Sequence, residues 1–378
     1  MAYGAVLGIF LLLHTYATYC QLGRTYDSRD YQAAAKGWQK EYRMVDQWGG
    51  PYIERPPLFP LVLATLGSEN EAIIRIFNAL CAFGSLFIFL YLGEQVLLSK
   101  NLWLIYGGAL AFSTPLLMSH SFYWSEPLFI FFLALLLLIL WQFIQKRRSI
   151  DFILLILCSI LLVLQRTQGV MIISAIAVIL LEKKAFWTTL PRSILYFLAA
   201  LFLWFAWVYH CLTIGGIYFH SSIGDLFQYI PHNLYWHTEA ITAWLFPLPL
   251  SFPLRLILLL GLLILLISIW NTFKSEIDKD RRSFLWALIW IFIVYSLGML
   301  IQQATNFSDS TRYQSPNYPL VFLFLLAMGD LWGQFVQSKW AKKMLLLTLV
   351  LWLLYPTIRA VKNAQHWQKV NCQEITKK

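Results

Sequence analysis

Residues 125–148 read Ser-Glu-Pro-Leu-Phe-Ile-Phe-Phe-Leu-Ala-Leu-Leu-Leu-Leu-Ile-Leu-Trp-Gln-Phe-Ile-Gln-Lys-Arg-Arg. From Pro127 to Gln145 the run carries no charge, and as a helix it is long enough to cross the roughly 30 Å hydrocarbon layer of a bilayer. An acid stands at one end and three bases at the other. Working outward, apolar stretches of the same kind recur at about 2–20, 72–98, 102–118, 127–144, 150–165, 169–182, 193–213, 254–272, 284–301, 317–334 and 344–360. Across all 378 residues, 59% are hydrophobic and 13% charged, against roughly 25% charged in soluble domains, which excludes a soluble globule. In hydrocarbon a helix satisfies its own backbone hydrogen bonds whereas an open sheet cannot. The expected fold is therefore an all-α polytopic membrane protein of about eleven spans, residues 1–378 forming one transmembrane domain with no separate soluble domain.

The net charge of +10 would suggest nucleic acid in a soluble protein, but here the placement of the bases matters more than their sum. Taking the N-terminus as a first span that begins in the cytoplasm puts Lys100, Lys146 to Arg148, Lys183-Lys184, Lys274 to Arg282 and Lys339 to Lys343 on the inner face, as the positive-inside rule requires. The two long connections, about 21–71 and 214–253, then share the outer face. Both are dense in Tyr, Trp and Phe, which argues for short helices on the membrane surface rather than disorder. Tyr31, Ala34, Ala35 and Trp38 fall on one face of such a helix. Neither a repeat nor a Gly-rich phosphate loop is present, so a nucleotide-binding fold is not expected. The five cysteines lie singly, without metal-ligand spacing, and read as small apolar residues.

Chemistry is expected in the outer loops. Asp27 and Asp30 follow the first span closely enough to act on a molecule embedded in lipid, either as a general base with a neighbouring acid or as the solvated acidic start of a helix. Glu54-Arg55-Pro56-Pro57-Leu58-Phe59-Pro60 returns to the bilayer, its three prolines holding the chain off the helix. Arg55 is thereby kept at the interface, where a guanidinium either grips a lipid-linked phosphate with two donors or snorkels to phospholipid headgroups. Glu126, with Ser125 before it and Pro127 after it, either caps its helix or is a functional acid at the hydrocarbon edge. Arg166, in Gln165-Arg166-Thr167-Gln168, and Arg312, in Ser308-Asp309-Ser310-Thr311-Arg312-Tyr313, occupy a similar depth. Three outer arginines with Asp27 and Glu126 suit an anionic lipid head whose reaction needs a base. His220, His232 and His237 share the second long loop without ligand spacing, and its aromatics read as an interfacial belt.

Asp27-Ser28-x-x-Tyr31 after the first span, Glu54-Arg55-Pro56-Pro57-Leu58, Ser125-Glu126-Pro127-Leu128-Phe129, Arg166 and Arg312-Tyr313 together resemble the polytopic GT-C glycosyltransferases, which use sugars carried on polyprenyl phosphate. The likeness is to protein mannosyltransferases and the aminoarabinose transferases of lipid A. It implies an inverting membrane transferase acting on the extracytoplasmic face of a bacterial inner membrane. Asp27 takes the part of the essential first-loop acid, with Asp30 and Glu126 as further catalytic candidates. Arg55, Arg166 and Arg312 bind the donor phosphate, and Tyr31 and Glu54 position substrate. The implied partners are a polyprenyl-phosphate sugar donor, a lipid, glycan or protein acceptor and membrane lipids, without nucleic acid; no residue is assigned to a metal, although some relatives hold a divalent ion near the first-loop acids. The chain departs from the aminoarabinose transferases in Asp27-Ser28, where those carry Asp-Glu, and in having no large C-terminal outer domain. A transporter or flippase of lipid-linked sugars, or an enzyme like O-antigen ligase or polymerase, is the alternative.

Overall fold

The computed structural model describes residues 2–181, 186–214, 227–335 and 338–376. They are predominantly helical, with two isolated bridges and no strand among the described residues. Eight helices are long and apolar enough to cross a membrane: Glu71–Val96, Lys100–Ser121, Glu126–Lys146, Phe186–Ile214, Phe252–Phe273, Lys279–Leu300, Phe307–Phe335 and Lys339–Gln373. Three shorter apolar helices are Ala2–Ala17, Ser149–Gln165 and Gly169–Ile179. Every predicted stretch falls on one of these. The stretch 102–118 is broken, Lys100–Ala111 ending at Phe112 and a second helix, Thr114–Ser121, starting after Ser113.

The chain divides into two compact units. The first comprises Met1–Leu13, Leu86–Met118 and Asp225–Asn363. Two buried ion pairs brace it. Arg255 bonds Glu239 and Thr242, and Arg281 lies 3.1 Å from Asp330. His232 and His237 serve as polar struts, meeting the backbone carbonyls of Thr305 and Met299 at 2.7 and 3.1 Å; burial lowers the His237 pKa to about 4. His220 lies outside the described residues.

The second unit comprises His14–Ser85, Ser119–Gly224 and Ala364–Lys378. Its helices include α1 (Ala2–Ala17, ending here), α2 (Tyr26–Glu41), α3 (Leu58–Leu66), α4 (Glu71–Val96, starting here), α5 (Glu126–Lys146), α6 (Ser149–Gln165) and α7 (Phe186–Ile214). Helix α5 is apolar on all sides and correspondingly buried. It turns back into α6 through Arg147, whose left-handed backbone (φ 52°) ends the helix and returns the chain antiparallel. The first residue of α5 and the residue after α6 therefore stand at the same end of a helical hairpin. Helix α7 packs on α6, Ser159 and Tyr196 joining at 2.6 Å, and on the helix Gly169–Ile179, where Ser193 donates to the Ala177 carbonyl at 2.5 Å.

Two expectations are corrected here. The three prolines do not keep the chain off the helix: α3 starts directly after Pro57, and Pro60 sits in its first turn, where a missing N–H breaks no intrahelical bond. Two of the cysteines are not simple apolar residues, because Cys20 and Cys372 form a disulfide across 352 positions, with Cα atoms 5.2 Å apart. Cys81, Cys158 and Cys211 are free and buried.

Candidate active site

Helix α2 lies outside the spanning helices and is amphipathic, burying Ser28, Asp30, Tyr31, Ala34 and Ala35. It packs against α3 in a core of Leu22, Tyr31, Tyr52, Phe59, Leu63 and Tyr123 among others. Phe59 meets Tyr31 edge-on at 4.9 Å. The N-terminus of α2 is fastened by Ser28, whose hydroxyl accepts from the Thr25 N–H at 3.0 Å and donates to the Tyr123 carbonyl at 2.8 Å. Trp124 adds an indole N–H to Thr25 Oγ1 at 2.8 Å. Asp27 thus occupies the first turn of a well-anchored helix, where the dipole favours a negative charge.

Arg55 reaches back to this turn. Its Nη2 donates to Asp27 Oδ1 at 2.9 Å and its Nη1 to Asp30 Oδ2 at 2.7 Å, with Glu54 Oε2 at 3.4 Å. The guanidinium also lies 5.5 Å from the centre of the Tyr31 ring. Burial acts against its charge, but Tyr31, Asp27, Tyr52 and Asp30 outweigh that and raise its pKa, so Arg55 stays cationic. Burial, then Asp27, raises the Tyr31 pKa and keeps the phenol protonated.

The Tyr31 hydroxyl carries the contact onward. It lies 3.0 Å from Ser125 Oγ, which accepts from Arg166 Nη1 at 2.9 Å, and the same nitrogen lies 2.6 Å from Glu126 Oε1. Gln165 donates to the Ser125 carbonyl at 2.9 Å. One continuous path therefore joins Asp27 and Asp30 through Arg55, Tyr31, Ser125 and Arg166 to Glu126. Four carboxylates, those of Asp27, Asp30, Glu54 and Glu126, face two guanidiniums, an arrangement able to take up a proton at one point and hold an anion at another.

Seven of the eight sequence-predicted residues are thus gathered in the second unit. Arg312 is not described with them: it lies in the first unit, buried on the short helix Phe307–Gln314, its guanidinium 5.5 Å from the Tyr313 ring. Ser125 is the residue whose part was missed. It reads as a cap from its place before Glu126, yet its side chain makes no capping bond and joins Tyr31 to Arg166 instead. Asp27, Asp30 and Glu54 close on the Arg55 guanidinium, and among the described residues no group of three or more His, Cys, Asp or Glu is arranged to hold a metal ion.

No family model matches the sequence, and no curated protein matches it either. The fold, however, resembles that of solved polytopic membrane enzymes. In particular, the chain is similar to ArnT, the lipid A aminoarabinose transferase, from Cupriavidus metallidurans. In the apo state the TM-score is 0.59 at 11% identity, covering 96% of this chain and 75% of ArnT. Bound to undecaprenyl phosphate, ArnT gives a TM-score of 0.60 at 12% identity over the same shares. An oligosaccharyltransferase from Archaeoglobus fulgidus, solved with a tethered acceptor peptide, gives 0.55 at 12% identity, covering 97% of this chain and 55% of that one. With its apolar helices, the chain is an integral multi-pass membrane protein of this fold.

Proposed function

We propose that the protein is a glycosyltransferase that moves a sugar from a polyprenyl-phosphate donor to an acceptor on the extracytoplasmic face of the membrane. The observation that carries this reading is the unbroken path from Asp27 through Arg55, Tyr31, Ser125 and Arg166 to Glu126, set on a GT-C fold. Undecaprenyl phosphate bound by ArnT supports a lipid-linked donor. The Cys20–Cys372 disulfide supports the extracytoplasmic side, since such bonds persist in oxidising compartments.

In this reading an acceptor hydroxyl attacks the anomeric carbon of the donor from the face opposite the phosphate. The new bond forms as the bond from anomeric carbon to phosphate oxygen breaks; its electron pair leaves with the polyprenyl phosphate, and configuration inverts. Asp27 takes the acceptor proton. Arg55 and Arg166 meet the charge that grows on the departing phosphate. Glu126 holds Arg166 in place rather than touching the acceptor, because its side chain is only 2% exposed. Tyr31 and Glu54 fix the pose of Arg55.

The test is incubation of the purified protein with radiolabelled polyprenyl-phosphate sugars, following release of the lipid phosphate. Release coupled to transfer is expected. Lipid translocation across a vesicle without bond cleavage would replace this reading with a flippase.

A further inference from the structure

Among the exposed aromatic side chains of the second unit, Trp48 (78%) and Tyr26 (52%) stand closest in contact to its carboxylates, Trp48 beside Gln47, which bonds Asp30, and Tyr26 beside Asp27. The Trp48 indole nitrogen lies 3.4 Å from the Tyr26 hydroxyl oxygen, so the polar edges of the two rings meet. Trp48 is held there by a turn that Asp46 builds. One oxygen of Asp46 accepts from the N–H groups of Trp48 and Gly50, each at 2.8 Å. The Asp46 N–H donates to the Gly50 carbonyl at 2.8 Å, and Gly49 closes the turn with φ at 85°, a conformation other residues rarely adopt. The turn is also tied to the site. The Gln47 N–H donates to Asp30 Oδ1 at 3.3 Å, while the other oxygen of that carboxylate holds Arg55. Tyr26 directly precedes Asp27 at the start of α2.

An indole and a phenol are thus held exposed next to the proposed base, where their surface has no role in the core. Their chemistry selects a partner. The face of an aromatic ring covers the C–H side of a pyranose, burying apolar area while the sugar hydroxyls stay in water and within reach of neighbouring carboxylates. The flanking stretch mixes Lys40, Glu41, Arg43, Asp46 and Gln47 with Tyr42, Met44 and Val45. We propose that Trp48 and Tyr26 form the acceptor subsite of the transferase by stacking on a sugar ring, so that the acceptor is a glycan. This rests on the reading of Asp27 as the base of a transfer reaction.

The test uses the full-length protein in detergent micelles with soluble trisaccharides of glucose, mannose, galactose and N-acetylglucosamine, binding being read by saturation-transfer NMR without any donor. At least one trisaccharide is expected to bind, with affinity lowered about tenfold in Trp48→Ala and largely restored in Trp48→Phe. In the transfer assay Trp48→Ala raises the acceptor KM and leaves the donor KM unchanged. The subsite is overturned if none of the saccharides binds the wild-type protein. It is equally overturned if affinity is unchanged in Trp48→Ala, including the case where that variant only alters depth in vesicles and Trp48 is a bilayer anchor. Saccharide capture that needs Trp48 in a protein without transfer activity removes the transferase reading and leaves the binding site standing. Asp27-dependent transfer with an acceptor KM indifferent to Trp48 removes the subsite alone.

Discussion

Of the three carboxylates on Arg55, Asp27 and Asp30 differ most usefully in burial, their side chains being 21% and 3% exposed. The difference separates their parts. Asp27 is open enough to exchange a proton with a substrate, whereas Asp30 is a buried counter-ion. Asp27→Asn is expected to lower transfer by about 10²–10⁴-fold, the usual worth of a general base, while the variant still enters the membrane folded; near-normal transfer would remove Asp27 from the mechanism. Arg55→Ala leaves the Asp30 charge buried without its main partner. It is expected to destabilise the protein by about 2–4 kcal/mol, discounted from a fully buried pair because Arg55 is a fifth exposed. Adding Asp30→Asn should recover much of that loss in denaturant unfolding, and additive losses would contradict the coupling. Glu126 and Arg166 stand out in the sequence as candidates because each stands at the end of an apolar run, and Asp27 and Arg55 because they lie in the charged loop between such runs. Their pairings were not legible there, since Glu126 meets a partner on the far side of a helical hairpin and Tyr31 reaches Ser125 across 94 positions.

At the scale of elements, the site depends on how α2 and α3 meet. Phe59 is fully buried between Tyr31 and Tyr123, at 4.9 and 6.4 Å between ring centres, so it sets the height at which the Tyr31 hydroxyl meets Ser125. Phe59→Ala is expected to cost about 3–5 kcal/mol and to speed hydrogen exchange in α2 and α3 before other helices of the second unit. Uniform exchange would show that this pair is no separate cooperative element. The amphipathic face of α2 could be read from the spacing of Tyr31, Ala34 and Ala35. Helix α3 could not, because Pro56, Pro57 and Pro60 look like helix breakers until Pro57 is seen to precede the first turn and Pro60 to lie within it.

At the scale of the whole molecule, the apolar stretches were legible because crossing hydrocarbon demands length and low charge, two properties that composition records directly. The division into two units was not, since each is assembled from three separated segments. Nor was the Cys20–Cys372 bond: neither cysteine carries a local signal, and they meet only once the end of the last helix docks beside the first. Asn371 donates to the Ala17 carbonyl at 3.2 Å, Gln21 donates to the Asn371 carbonyl at 3.0 Å, and Trp367 packs edge-on against Phe122 at 6.1 Å. Cys20→Ser is expected to lower the melting temperature of the detergent-solubilised protein by the equivalent of about 2–4 kcal/mol, and reductant should bring the wild type to the same value. A wild-type melting temperature indifferent to reductant would show that the bond adds nothing to stability.

That bond also makes the polypeptide a closed ring from position 20 to position 372. A single protease cut anywhere in the interval opens the ring without releasing a fragment, so a nicked sample would run at full mass on a non-reducing gel and fall into two bands once thiol is added.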